Sequence, residues 1–284
     1  ALTASEVSRI SPGFIGVTVM AIGTDLPEVA NSVISALTGH GDVLVGDASG
    51  SALTQVTVVL AILCLGAGTL WGESGRLAAI ALASVAALGL VAFLVRDQVL
   101  GRLEGALMCG LWVLGLVVMG RTGRDAPTLD VGLQRGALLP VIRTIGWLAV
   151  VGVAAIVVVA SFVELSDAIG VPELVASAVV LSLGTSLPEL VVDWTAIRRG
   201  STALALGDLF GSSFLDATLT MGIGPSLRAV TVSSGASAAC LIAAAGIAVV
   251  ALVVGTRRRY GRGTAVVLLV VYGVGIGALI TLAA

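Results

Sequence analysis

Residues 23–28 read Gly23-Thr24-Asp25-Leu26-Pro27-Glu28, and residues 184–189 answer them with Gly184-Thr185-Ser186-Leu187-Pro188-Glu189, an offset of 161. The same offset carries Gly46-Asp47-Ala48-Ser49-Gly50-Ser51 onto Gly207-Asp208-Leu209-Phe210-Gly211-Ser212 without a gap, and Gly39 onto Gly200. Two separate motifs kept in one register indicate an internal duplication. Glu28 and Glu189 each lie near the middle of an apolar stretch. An ionised carboxylate there costs several kcal/mol unless paired or hydrated, so intramembrane acids mark function by default. Pro27 and Pro188 lack an N–H, which deprives the carbonyls of Gly23 and Gly184 of their helical donors. A kinked helix then offers a carboxylate, a Thr hydroxyl and a freed carbonyl at one level. These are hard oxygen donors of the kind Ca²⁺ and Na⁺ prefer to nitrogen or sulfur.

The surrounding chain is that of a membrane protein. Of its 284 residues, 57% are hydrophobic and only 11% charged, with mean hydropathy +1.11; a globular domain has about 25% charged residues. A soluble enzyme is excluded, and so is a nucleic-acid binder, since no basic stripe exists to follow phosphates. All 15 basic residues are Arg, and the net charge is −2. Cys64, Cys109 and Cys240 stand singly in apolar stretches and read as packing residues. Ala1–Pro12 lacks the apolar core of a cleavable signal. Spanning helices need about 20 apolar residues, and nine stretches qualify: 13–37, 43–65, 77–95, 99–119, 140–162, 171–197, 202–224, 235–255 and 263–283. Their continuous apolar runs exclude a β-barrel. Trp71, Trp112, Trp147 and Trp194 read as interface anchors.

Arginine placement sets the expected orientation. With the first segment cytoplasmic, that side receives Arg9, Arg76, Arg121, Arg124, Arg135, Arg198, Arg199, Arg257, Arg258, Arg259 and Arg262, and the other only Arg96, Arg102 and Arg228. The chain divides into a first repeat (1–120), a cytoplasmic linker (121–139) and a second repeat (140–284). Four spans separate the first motif helix from the second, so the copies are expected to cross in opposite directions. Inverted repeats are the architecture of secondary transporters, with the substrate held near the midplane.

The second motif completes an oxygen-lined centre. Gly-rich Gly46–Ser51 and Gly207–Ser212 are expected to allow close approach and local unwinding, and Gln55 and Asp216 each follow their serine by four residues on the same face. The expected cation ligands are Thr24, Asp25, Glu28, Ser51, Gln55, Thr185, Ser186, Glu189, Ser212 and Asp216. Asp25, Glu28, Glu189 and Asp216 total −4 when ionised; one Ca²⁺ covers half, and Na⁺ or protons must cover the rest. Asp47 and Asp208 stand open between capping a broken helix and lining the pathway. Asp193, one turn past Glu189, reads as a solvated mouth residue.

The doubled pattern G-T-[SD]-L-P-E followed by G-D-x-x-G-S resembles the α-repeats of the sodium/calcium exchanger family, within the cation/calcium antiporter superfamily. The resemblance implies an all-α, ten-helix, inverted-repeat antiporter that expels Ca²⁺ against inward Na⁺ by alternating access. It implies Ca²⁺ ligation by Glu28 and Glu189 with help from Thr24 and Thr185, and Na⁺ sites at Ser51, Ser186, Ser212 and Asp216. No cofactor is implied; the partners are the transported cations and membrane lipids, in a monomer in a prokaryotic plasma membrane. The sequence departs from the family at Asp25, where a Ser is usual, and at Gln55, where Asn is commoner; both bear on the coupling ion. The family also has a helix before the first motif helix, so the nine spans are expected to be nine of ten, with the first absent.

Rival classes fare less well. Gly39-His40-Gly41-Asp42 spells the G-x-G-D of presenilin-type proteases, but both tyrosines, Tyr260 and Tyr272, are followed by Gly where that chemistry needs Asp. His40 is the only histidine, which leaves a rhomboid-type Ser/His pair without its base. An H⁺-coupled antiporter of Ca²⁺ or another divalent cation stays open, and a cation channel is the weaker alternative.

Overall fold

The computed structural model describes residues 16–122, 153–154 and 157–283, and they are almost entirely helical. Among the described residues, six helices are long and apolar enough to cross a membrane: Gly41–Ala67, Ser74–Asp97, Arg102–Met119, Glu173–Arg198, Ala236–Thr256 and Arg262–Leu282. Most of the expected span 140–162 lies outside the described residues, as does the expectation of an absent first helix; residues 157–169 are helical.

The 161-residue offset seen in two motifs governs the whole sequence of elements. A π-turn at Gly16–Met20 is followed by α1 (Ala21–Thr24) and α2 (Leu26–Thr38). Its counterpart at Ser177–Leu181 is followed by α3 (Ser182–Thr185) and α4 (Leu187–Arg198). In both copies the helix breaks at the residue before Leu-Pro, Asp25 or Ser186, where ψ falls near zero. Thr24 Oγ1 donates to Met20 O at 3.1 Å and Thr185 Oγ1 to Leu181 O at 3.2 Å, the same back-bond in each copy and one that bends helices.

The Gly-rich segments behave in the same paired way. Gly41–Thr54 (α5) passes into a π-turn at Gln55–Val59 and then Leu60–Ala67. Thr202–Leu215 (α6) passes into a π-turn at Asp216–Thr220 and then Met221–Leu227. The expected unwinding at Gly46–Ser51 and Gly207–Ser212 does not occur; both stretches stay α-helical. The glycines serve contact instead. A Cβ at Gly50 would overlap the backbone of Ala178, and one at Gly211 the backbone of Val17. Residues 17 and 178 are themselves offset counterparts, so one close crossing occurs twice. The ladder widens one turn later, where Leu60 N–H donates to Gln55 O and Met221 N–H to Asp216 O. Such π-turns are rare and concentrate at functional sites.

Ser74–Leu94 packs along Ala236–Thr256 through small residues, among them Ala81, Ala87, Ala92, Ala236, Ala239 and Ala243, as helices in lipid do. Two short ribbons tie the loops. Leu70–Trp71 (β1) pairs with Arg259–Tyr260 (β4), Leu70 opposite Tyr260, and Val99–Leu100 (β2) pairs with Val230–Thr231 (β3), Val99 opposite Thr231. Adding 161 to one member of the first pair and subtracting it from the other gives the second pair. That exchange is the signature of a two-fold relation between the copies, not of simple translation.

Candidate cation-binding site

The two breaks and the two π-turns converge. Asp25 and Glu28 come from the α1–α2 break, Glu189 from the α3–α4 break, and Gln55 and Asp216 from the π-turns. All five are 0% exposed. One carboxylate oxygen each from Asp25, Glu28 and Glu189 lies within 4.8 Å of the others, the spacing of ligands around one ion. Gln55 Nε2 donates to Asp216 Oδ2 at 3.1 Å, and Ser213 Oγ donates to Ala52 O at 2.8 Å. Each of these bonds joins two residues 161 apart, so the two-fold axis runs between them.

The centre is rich in acceptors and poor in donors. Both carboxylate oxygens of Asp25, Glu28 and Glu189, with Gln55 Oε1, Ser186 Oγ, Ser212 Oγ and Asp216 Oδ1, are buried without a hydrogen-bond partner. Among the described residues no Arg or His forms an ion pair with any of these acids. Buried orphans of this kind are rare in folded proteins, because each costs the desolvation of the group. Three hard carboxylate oxygens within 4.8 Å of one another and paired to no described Arg or His are what a bound cation satisfies.

The ten expected ligands lie on the helix breaks and the elements that meet them, of which Asp25, Glu28 and Glu189 share one point. Thr24, Thr185 and Ser51 are hydrogen-bonded: Thr24 to the backbone, and Ser51 Oγ to Thr185 Oγ1 at 3.2 Å. The remaining seven carry the orphaned oxygens. Asp25 belongs to the acid cluster itself and not merely to its surroundings.

Three further acids are buried. Asp47 is bound by Asn31 Nδ2 at 2.5 Å and Thr185 Oγ1 at 3.3 Å, so it braces α2 against α5 and reaches the threonine of the other copy. Asp193 is 0% exposed, which overturns its reading as a solvated mouth residue: α6 covers the face of α4 on which it lies. Its carboxyl lies beside that of Asp208, also 0% exposed, across the packing of α4 on α6. Its spacing four residues from Glu189 was the available signal, since i and i+4 share a helix face. Asn31, three past Glu28, carried the same signal.

The chain is similar to known proteins over most of its length. The family model described as sodium/calcium exchanger protein matches residues 2–120 and 139–281. A putative antiporter, CaxA, of Alkalimonas amylolytica is 30% identical, with 95% of this chain and 89% of that protein covered. The inner membrane protein YrbG of Escherichia coli K12 is 28% identical over 75% of this chain and 69% of its own length. The sodium/potassium/calcium exchanger Nckx30C of Drosophila melanogaster matches over 69 residues at 41% identity, covering 24% of this chain and 8% of that one. Solved structures of the sodium-calcium exchanger NCX_Mj share the fold at a TM-score of 0.65 and 20% identity, over 95% of this chain and 88% of theirs.

Proposed function

The chain belongs to the sodium/calcium exchanger family, a family of membrane antiporters, and on that premise we propose that it exchanges Ca²⁺ for Na⁺ at the centre where its two copies meet. The observation that carries this reading is the triad of Asp25, Glu28 and Glu189, buried, paired to no described Arg or His, and with one oxygen from each within 4.8 Å of the others. Glu28 and Glu189 hold the Ca²⁺ between the copies. The Ser186, Ser212, Gln55 and Asp216 oxygens serve Na⁺ around it.

Electrostatics supplies the exchange. Asp25, Glu28 and Glu189 sum to −3 when ionised, and Asp216 stands behind them. One Ca²⁺ leaves negative charge uncovered, whereas several Na⁺ ions spread over the same oxygens neutralise it. Glu28 and Glu189 are needed by both loads, so the loads exclude one another. That mutual exclusion converts a binding site into an antiporter. Alternating access follows when the peripheral helix expected at 140–162 slides over a core whose two-fold symmetry makes the two outward views alike. The copies are inverted across a plasma membrane, with the 121–139 linker on the cytoplasmic side.

A second reading draws on Asp25, which replaces the family's usual Ser inside the triad. A protonated Asp25 would let H⁺ stand in for one Na⁺, giving an H⁺-coupled Ca²⁺ antiporter. Reconstituted vesicles separate the two. The Na⁺ reading expects ⁴⁵Ca²⁺ uptake driven by an outward Na⁺ gradient at symmetric pH. Uptake driven only by a pH gradient supports the H⁺ reading, and flux that ignores both gradients overturns antiport. Glu28→Gln and Glu189→Gln are each expected to abolish Ca²⁺ exchange, and either variant retaining it would remove the carboxylate from the proposed role.

A further inference from the structure

The Asp193–Asp208 pair lies outside the central layer, and the exchange just described does not use it. Asp193 stands four residues past Glu189 on α4, about 6 Å nearer the Arg198 end at 1.5 Å per residue. Asp208 stands four before Ser212 on α6, which runs back in the other direction. None of their four carboxylate oxygens has a donor among the described residues. Two buried carboxyls side by side persist only when something positive, a cation or a proton, lies near them.

The first repeat shows the same depth closed. Asp47, the counterpart of Asp208, is bound by Asn31 and Thr185. Ser32, the counterpart of Asp193, donates to Thr220 O at 2.5 Å. In the second repeat Val192 stands where Asn31 would be, and Asp193 where Ser32 would be. One copy is therefore sealed by hydrogen bonds, while the other presents four free acceptors. A cavity of about 300 Å³ is lined by Val192, Ala196, Arg199, Ser201 and Leu204 on the same two helices and their connection, although neither aspartate lines it.

We propose that Asp193 and Asp208 form an accessory site for an alkali-metal cation, one turn from the central site on the Arg199 side and present in one repeat only. Carboxylate oxygens suit Na⁺. Four of them fall short of the six to eight oxygens that Ca²⁺ takes. One Na⁺ leaves the pair at −1, so the site draws cations inward without the hold of a fully matched divalent site. Its use as a relay to Glu189 rests on the antiport reading; the binding itself does not.

Equilibrium binding of ²²Na⁺ to the purified protein tests it, with choline chloride holding ionic strength. Wild type is expected to bind one more Na⁺ per chain at saturation than Asp193→Asn/Asp208→Asn, with ⁴⁵Ca²⁺ binding in Na⁺-free buffer the same in both. Where the double variant fails to fold, Asp193→Ser, the side chain that the first repeat carries, is expected to show the same deficit. In a Glu28→Gln/Glu189→Gln background the Na⁺-dependent rise in Tm is expected to shrink when both aspartates are also replaced. Equal Na⁺ counts overturn the site. So does a pair whose replacement changes only the pH dependence of melting, which marks a shared proton. None of these readouts needs transport, so they stay interpretable even where Ca²⁺ flux ignores both gradients.

Discussion

Asp25 is the residue that sets this chain apart within its own duplicated motif, because its counterpart in the second copy is Ser186. Its place within 4.8 Å of Glu28 and Glu189 makes it a term in the charge balance of the site. Asp25→Ser removes one negative charge from that balance. The variant is expected to carry one fewer compensating cation per Ca²⁺, read as a shift in the membrane potential at which ⁴⁵Ca²⁺ flux reverses. An unchanged reversal potential would place Asp25 outside the transport cycle. Asn31 makes a different kind of prediction. Its amide holds buried Asp47, and Asn31→Leu leaves that oxygen without a donor, at a cost of about 1–3 kcal/mol. Thermal melting in detergent is expected to show the loss, with Ca²⁺ affinity little changed.

At the scale of the element, the glycines and the π-turns divide the labour between contact and chemistry. Gly50 and Gly211 let α5 and α6 lie against the backbones of Ala178 and Val17. Overfilling a packed core costs about 1–3 kcal/mol, and backbone yields less readily than a side chain. Gly50→Val and Gly211→Val are therefore expected to lower Tm by similar amounts, since each breaks the same crossing in its own copy. A large effect in only one would mean that the copies carry unequal loads. The wide turns that follow present Gln55 and Asp216 towards each other, leaving Gln55 Oε1 and Asp216 Oδ1 without partners. The loops are pinned by smaller means: Arg259 lies 4.0 Å from the Trp71 ring centre, and buried Tyr260 donates to Val254 O. Burial pushes the Tyr260 phenol up to about 12, with Cys64 adding to the shift, so it stays a donor at any neutral or mildly alkaline pH.

At the scale of the whole molecule, the paired ribbons separate what is tied from what can move. β1–β4 and β2–β3 each bind a loop of one copy to a loop of the other, so the core carrying the site is clamped at both places. On the antiport reading proposed above, motion between the two faces is assigned to helices outside those clamps. A disulfide between Trp71→Cys and Arg259→Cys, which are direct partners in the β1–β4 register, is expected to leave Na⁺-driven Ca²⁺ uptake intact. Uptake that stops on oxidation and returns on reduction would show that these loops part during the cycle.

The sequence by itself determined the membrane setting, the duplication and which intramembrane side chains carry hard oxygens. Apolar run length, the 161-residue register and the hardness of carboxylate and hydroxyl oxygens are properties of the chain, not of its packing. It also located the helix breaks, because proline's missing N–H acts locally. Tertiary structure decided what each polar group faces. Gly46–Ser51 and Gly207–Ser212 could have unwound or packed, and only the approach of Val17 and Ala178 selects packing. Asp193 reads in sequence as a solvated mouth residue, but α6 buries it, and Asp47 and Asp208, alike in sequence, part because Asn31 reaches one and Asp193 lies beside the other. Burial and partnership arise between segments distant in the chain, and so the difference between a sealed repeat and an open one emerges only when the helices meet.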